Sequence, residues 1–183
     1  MRSTSPNLIV PKRYGDERGF FAETYSRRKY FEYGIDCEFV QDNHSLSGEI
    51  GTLRGLHFQA PPHAQAKLIR CVRGAIFDVV VDIRRGSPAY GKWKGYELTP
   101  ENGHQLFVPV GFAHGFITIK SNSEIVYKCS DYYAPETEGS IIWNDPDIEI
   151  NWALGVEPIL SSKDAASLPL KDIESPFVYG ENS

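Results

Sequence analysis

From Gly51 onward the chain is a succession of short apolar runs closed by turn residues, and this spacing limits the fold more than any other feature. Gly51 to Gln59, Leu68 to Val72, Ile76 to Ile83, Trp93 to Leu98, Gln105 to Val110, Phe116 to Ile119 and Ile125 to Tyr133 all read as strands. Gly, Pro or Asn falls between them, and many short strands at such spacing predict an all-β sandwich or barrel. Upstream, Leu8-Ile9-Val10-Pro11 reads as a short edge strand ended by Pro11. Gly15 to Gly19 reads as a turn and Phe20 to Tyr25 as a second extended run. Ser26 is placed to N-cap a short helix from Arg27 to Tyr33, which Gly34 stops. Phe39 to Ser45 is extended but polar, and Met1 to Asn7 forms a loose polar lead.

After Tyr133 the strand signal fades into Ala134-Pro135-Glu136 and Trp143 to Asp147, segments rich in turn chemistry. A short helix starts at Ser161 or Ser162 and reaches Ala166, and the tail from Pro169 is irregular. With 183 residues the chain is expected to form one domain, 1–183, with a peripheral loop-and-helix region over about 134–183.

The formal net charge of -5 argues against a nucleic-acid or anionic-membrane surface, which would call for excess Lys and Arg. An anionic small molecule stays compatible, since a pocket needs only a few local cations. Cys37, Cys71 and Cys129 are odd in number and form no C-x-x-C, so they read as reduced thiols of a cytoplasmic protein. Neither a signal peptide nor a membrane-length apolar run is evident.

The stretch Gly51 to Gln59 carries Arg54, His57 and Gln59, and Lys67 opens the next strand. A histidine in an apolar strand is more often structural than catalytic, and a strand tyrosine such as Tyr127 is usually a core aromatic with its hydroxyl satisfied. Pro109-Val110-Gly111-Phe112-Ala113-His114 is a P-x-G-x-x-H turn, similar to the second motif of cupin-type jelly rolls. A metal-binding cupin would show H-x-H in its first motif, whereas here His57 is followed by Phe58 and Gln59, and His63 lies past Pro61-Pro62. The usual ligand set is incomplete, and no metal is expected.

Taken together, several blocks resemble one family, the dTDP-4-dehydrorhamnose 3,5-epimerases (the RmlC family). They are Gly15 to Phe21, Gln41 to Ser45, Leu53 to Gln59, Ala64 to Lys67, Val79 to Arg84, Pro109 to Phe116, Tyr127 to Tyr133 and Trp143 to Asp147. The resemblance implies a cupin-type jelly-roll barrel with short peripheral helices. It further implies a cofactor-free isomerase that epimerises dTDP-4-dehydro-6-deoxyglucose at C3 and C5, on either side of the C4 ketone. By that resemblance His57 is the base, Asp164 its carboxylate partner, Tyr127 the acid and Lys67 the cation near the sugar oxyanion. Asp78 and Asp82, on a buried-looking strand, compete with Asp164 for the histidine.

Arg54 and His114 match ligands for the pyrophosphate or sugar, Gln41 and Asn43 polar contacts to the nucleotide, and Tyr133 the aromatic stacked on thymine. Period-two counting puts Tyr133 on the strand face of Tyr127. Arg18, Glu23, Glu138 and Lys163 match further nucleotide contacts. The family's homodimer exchanges its N-terminal segment, here about 1–50, so Arg18 and Glu23 are expected to serve the neighbouring site. Three other readings compete: a C3-only epimerase, a metal-dependent cupin using His57, His63 and His114, and a cupin that only binds a sugar or nucleotide.

Overall fold

The computed structural model describes residues 3–152 and 155–180. Met1 and Arg2 of the polar lead, and 181–183 of the tail, lie outside the described residues. The strands, in chain order, are β1 (Asn7–Ile9), β2 (Arg13–Asp16), β3 (Gly19–Ala22), β4 (Gln41–Ser47), β5 (Leu53–Gln59) and β6 (Lys67–Arg73). They continue with β7 (Ile76–Asp82), β8 (Trp93–Leu98), β9 (Gln105–Val108), β10 (Phe112–Thr118), β11 (Ser123–Cys129) and β12 (Glu138–Ser140). Two short α-helices accompany them, α1 (Arg27–Glu32) and α2 (Ser162–Ala165).

One five-stranded sheet has the order β1-β9-β6-β11-β4 and the other β12-β5-β10-β7-β8, while β2 and β3 form a separate hairpin. Every ladder is antiparallel, and the two sheets enclose a core, as an all-β jelly roll requires.

Alternation along the strands separates three apolar layers. Ile69, Cys71, Leu106, Val108 and Ile125 of the first sheet meet Ile76, Val80, Leu98 and Phe116 of the second inside the barrel. The opposite face of the second sheet, with Leu53, Leu56, Val79, Val81, Ala113 and Ile117, is covered by Ile141, Ile148, Trp152, Leu170 and Phe177. Tyr30 and Ile35, in and just after α1, cover Leu68 and Phe107 on the outer face of the first sheet. The C-terminal covering is pinned by Asp145, whose buried carboxylate accepts from the backbone N–H groups of Asp147, Ile148 and Leu170. Three charge-assisted bonds satisfy the buried charge and hold three parts of a turn-rich segment together.

Several expected boundaries move. The last long strand ends at Cys129, so Tyr132 and Tyr133 lie in the following loop. The strand after Pro109 starts at Phe112, which puts His114 well inside β10. The extended run from Phe20 stops at Ala22, the run Gln105 to Val110 stops at Val108, and the polar strand covers Gln41–Ser47. Ser26 precedes α1 but makes no side-chain cap bond. From Ser3 the lead is tied down, with Ser3 N–H donating to Gly34 O and Arg84 Nη1 to Thr4 O. The loop region after Tyr133 contains a 3₁₀ turn, Pro135–Thr137, and then β12, which pairs with β5.

One irregularity sets the geometry of the cavity. Between the β5–β10 pairs His114↔His57 and Phe116↔Arg54, β5 advances three residues while β10 advances two. The extra residue is a bulge at Gly55, whose φ is 117°. A Cβ there would lie 2.6 Å from Gly115 Cα and 2.7 Å from His114 O, and a Cβ on Gly115 would lie 2.8 Å from Arg54 O. Only glycine allows two backbones so close at that φ. Because of the extra residue, Leu53 and Leu56 both face the outer core, and Arg54 and His57 both turn away from it.

We predict that Gly55→Ala lowers stability by about 2–5 kcal/mol, combining backbone strain with an unrelievable backbone clash. Gly48→Ala, where a Cβ meets nothing within 4 Å, is expected to stay within about 0.5 kcal/mol of wild type. Urea denaturation midpoints of the two variants check the contrast.

Candidate active site

A cavity of about 250 Å³ opens at one end of the barrel, lined by His57, Lys67, Tyr127, Gln41, Asn43, Gln65, Phe58, Gln59, Tyr133 and Glu138. Four neighbouring elements supply its polar wall. β5 brings His57 and Gln59, β6 brings Lys67, β11 brings Tyr127, and the edge strand β4 brings Gln41 and Asn43. Asn43 stands opposite Tyr127, and Cys129 lies between Gln41 and Lys67, so these side chains share one inward face.

His57 Nε2–H donates to Asp164 Oδ1 at 2.5 Å, across 107 residues of sequence. Asp164 belongs to α2, a four-residue helix, and is buried although its neighbours Lys163 and Ala165 are exposed. Ser161 caps that helix by accepting from Asp164 N–H at 3.1 Å, and its hydroxyl donates to Asp164 Oδ2 at 2.7 Å. Both carboxylate oxygens are thereby committed, and the imidazole is held with its proton on Nε2, which leaves Nδ1 as the basic nitrogen. Burial pushes the His57 pKa below its ordinary value, while the charge and hydrogen bond of Asp164 act in the opposite sense. The competition among three aspartates is decided by place in the fold. Asp78 faces His114, with Nε2 at 2.9 and 3.0 Å from its two oxygens, and Asp82 holds Arg84 and Ser87.

Burial also lowers the Lys67 pKa, opposed by Cys129, Glu138 and Asp78. It raises that of Tyr127, so the phenol keeps its proton at neutral pH. At the mouth, Glu138 Oε2 accepts from Tyr133 Oη at 2.9 Å and forms an ion pair with Lys163. Tyr133 therefore reaches the cavity from a loop, not along the strand of Tyr127, and period-two counting does not apply to it. Gln41 Oε1 accepts from Tyr133 N–H, which fixes that loop to the edge strand.

Arg54 does not line the cavity; it is bonded to Ser47 Oγ at 3.3 Å, and its positive charge acts on Tyr127. His114 is buried on β10, directly opposite His57. Arg18 and Glu23 are not brought to this cavity. Arg18 is at the tip of the β2–β3 hairpin, bound to Asp16, and Glu23 pairs with Lys29. The histidines of a metal-dependent reading, His57, His63 and His114, face three different carboxylates: Asp164, Asp131 and Asp78. Among the described residues no group of three or more His, Cys, Asp or Glu side chains is arranged to hold a metal ion.

Sequence reasoning gave no role in the site to three contributors. Gln59 is buried and donates to Tyr132 O and His63 O while accepting from Ala134 N–H, so it builds the loop that carries Tyr133. Its spacing of two from His57 was the available signal for an inward position. Ser161 is marked in the sequence only as one of two starting points for the short helix. Cys129, read only as a reduced thiol, is the register partner of Lys67 and lies 3.6 Å from the Asn43 amide. Burial nevertheless raises its pKa, which keeps it a thiol.

A carboxylate-bound imidazole and a protonated phenol facing one cavity suit the removal of a proton from carbon and its return. The double-sheet barrel around them puts the protein among the isomerases of cupin-like fold. A family model described as dTDP-4-dehydrorhamnose 3,5-epimerase matches residues 5–172. A dTDP-4-dehydrorhamnose 3,5-epimerase of Sinorhizobium fredii is 51% identical over 94% of this chain and 88% of its own length. The Salmonella typhimurium enzyme of the same name is 50% identical over 94% of each. A crystal structure of the Legionella pneumophila enzyme in complex with dTDP-4-keto-L-rhamnose superposes with a TM-score of 0.91 at 45% identity, covering 100% of this chain and 98% of that one. The chain belongs to the dTDP-4-dehydrorhamnose 3,5-epimerase family.

We predict that Asp164→Asn lowers kcat/KM by about 10²–10⁴-fold, the usual scale for general acid–base catalysis. With His57 as the base, the role proposed below, activity rises with pH through the His57 pKa, and burial sets that limb below the ordinary histidine value. Removing the carboxylate takes away the influence that raises the pKa, so the acid limb of Asp164→Asn shifts to lower pH. A pH–rate profile of the variant reads both effects.

Proposed function

We propose that the protein epimerises dTDP-4-dehydro-6-deoxy-D-glucose at C3 and C5 to dTDP-4-dehydro-L-rhamnose, without a cofactor. The observation that carries this reading is the His57–Asp164 dyad facing the same small cavity as Tyr127 and Lys67. The hydrogens on C3 and C5 are acidified by the C4 ketone between them. His57 Nδ1 takes the proton, and Asp164 stabilises the imidazolium that results. The electron pair moves onto the C4 oxygen as an enolate, next to the buried ammonium of Lys67, where a fixed charge is far more effective than in water. Tyr127 returns a proton to the carbon from the opposite face. Its raised pKa suits an acid that must be protonated before the step, and before the next cycle the imidazolium gives its proton to solvent while the phenolate regains one from it.

The nucleotide end fits the mouth. Tyr133 offers an aromatic face to the thymine, and Lys163 and Arg54 offer cations for the diphosphate. Glu138, Gln41 and Asn43 supply polar contacts beside them. Arg18 and Glu23 enter through a homodimer. The β2–β3 hairpin pairs with neither main sheet and exposes Phe20 and Phe21, while β4, at the cavity, is an edge strand. A second copy's hairpin laid along β4 would cover both apolar side chains and bring that copy's Arg18 and Glu23 toward the nucleotide.

In heavy water with dTDP-4-dehydro-6-deoxyglucose, deuterium is expected at both C3 and C5. Label at C3 alone would favour the single epimerase, and no exchange by folded protein would end the epimerase reading. His57→Ala is expected to abolish exchange while dTDP still binds, measured by calorimetry. For the dimer, inactive Arg18→Ala and His57→Ala proteins, unfolded and refolded together, are expected to recover activity in mixed dimers through the one site that has both native residues. Two separately inactive variants that stay inactive on mixing would refute the shared site.

A further inference from the structure

The loop between β11 and β12 brings Tyr133 to the mouth of the cavity, yet its backbone belongs to no sheet until β12 begins. Side chains of three glutamines bind its backbone groups instead, and all three line the cavity. Gln65 Nε2–H donates to Asp131 O at 2.8 Å, Gln41 Oε1 accepts from Tyr133 N–H at 3.1 Å, and Gln59 serves both Tyr132 and Ala134. Gln59 Oε1 accepts from Ala134 N–H at 3.0 Å, while Nε2 donates to Tyr132 O at 2.9 Å and to His63 O. The residue is 4% exposed, so these bonds are made away from water. Both of its N–H groups are in use, which leaves no donor for a ligand.

Only a neutral amide suits this position, where a metal-binding cupin would place its second histidine. A carboxylate would accept only and would face two carbonyl oxygens, and an imidazole has two ring nitrogens for three bonds. An apolar side chain would leave two carbonyls and an N–H without partners. Tyr133, by contrast, is 56% exposed, so its place is set by its bonded backbone and by the hydroxyl held on Glu138. An aromatic platform fixed in advance avoids the cost of ordering a mobile loop on binding.

We propose, building on the reading that Tyr133 stacks on the thymine, that Gln59 is a positioning residue that sets nucleotide affinity by holding the Tyr133 loop, with Gln65 assisting. Its effect is on binding, equally in the ground state and the transition state. His57, two residues earlier on the same strand, keeps its own bond to Asp164.

Gln59→Met tests this, because methionine keeps an unbranched side chain of similar length and offers neither donor. The expected result is a Kd for dTDP raised about tenfold or more, a KM raised with it, and a kcat for deuterium exchange within about threefold of wild type, the pattern of lost uniform binding. A side chain that served folding alone would lower Tm and leave the Kd of the folded protein unchanged. In a double-mutant cycle with Tyr133→Ala, the double variant is expected to bind dTDP within about twofold of Tyr133→Ala, as when one residue acts through the other. Wild-type dTDP affinity in Gln59→Met overturns the proposal, and so do losses that multiply in the double variant or a fall in kcat at unchanged KM. If Gln59→Met does not fold, Gln65→Met, which frees Asp131 O, decides by the same readouts. Weaker dTDP binding at a kcat near wild type supports the proposal, and unchanged affinity overturns it. The dTDP titration needs no turnover, so wild-type protein that binds dTDP but exchanges no deuterium refutes the epimerase reading and not the role of Gln59.

Discussion

Gly55 and Gly115 bring two backbones into contact, and the site depends on that contact. A regular strand alternates faces, so Arg54 and His57, three apart, would normally point in opposite directions. The extra residue in β5 puts both on the side away from Leu53 and Leu56. The outer core then keeps its leucines, and the cavity gains His57. Side chains at either glycine would push the strands apart just where His114 and His57 are paired.

Electrostatics around the cavity follow one logic, in which burial disfavours charge and a placed partner restores it. His57 and Lys67 are both pushed toward neutrality by burial. Asp164 counters this for the histidine by direct contact. Lys67 is supported in the same sense by Cys129, Glu138 and Asp78. The consequence is an imidazole at His57 that burial disfavours as a cation and a phenol at Tyr127 that stays protonated in the neutral pH range.

The C-terminal region is part of this machinery. A helix of four residues has no stability of its own in water. α2 persists because Ser161 caps it, Lys163 is tied to Glu138, and the surrounding segment packs on the second sheet. Asp145 and its three backbone donors hold that segment in place. Much of the final third of the chain thus serves to deliver one carboxylate to His57.

The succession of strands from Gly51 to Cys129, their approximate limits and the turn before β10 were legible in the sequence, because alternation and turn chemistry act over a few residues, whereas β2 and β12 were not read as strands. The block pattern also pointed to the family, and through it to Asp164, which no local rule would have chosen over Asp78 or Asp82. Tertiary structure alone decided the rest. It paired Asp78 with His114 and placed Tyr133 on a loop built by Gln59 and Gln41. It also put the extra residue of β5 at Gly55 and left Arg18 and Glu23 away from the cavity of their own chain. The physical reason is range. Periodicity reports which face a side chain takes, whereas the choice between buried partners is made by contacts such as His57–Asp164, formed across 107 residues once the sheets have closed.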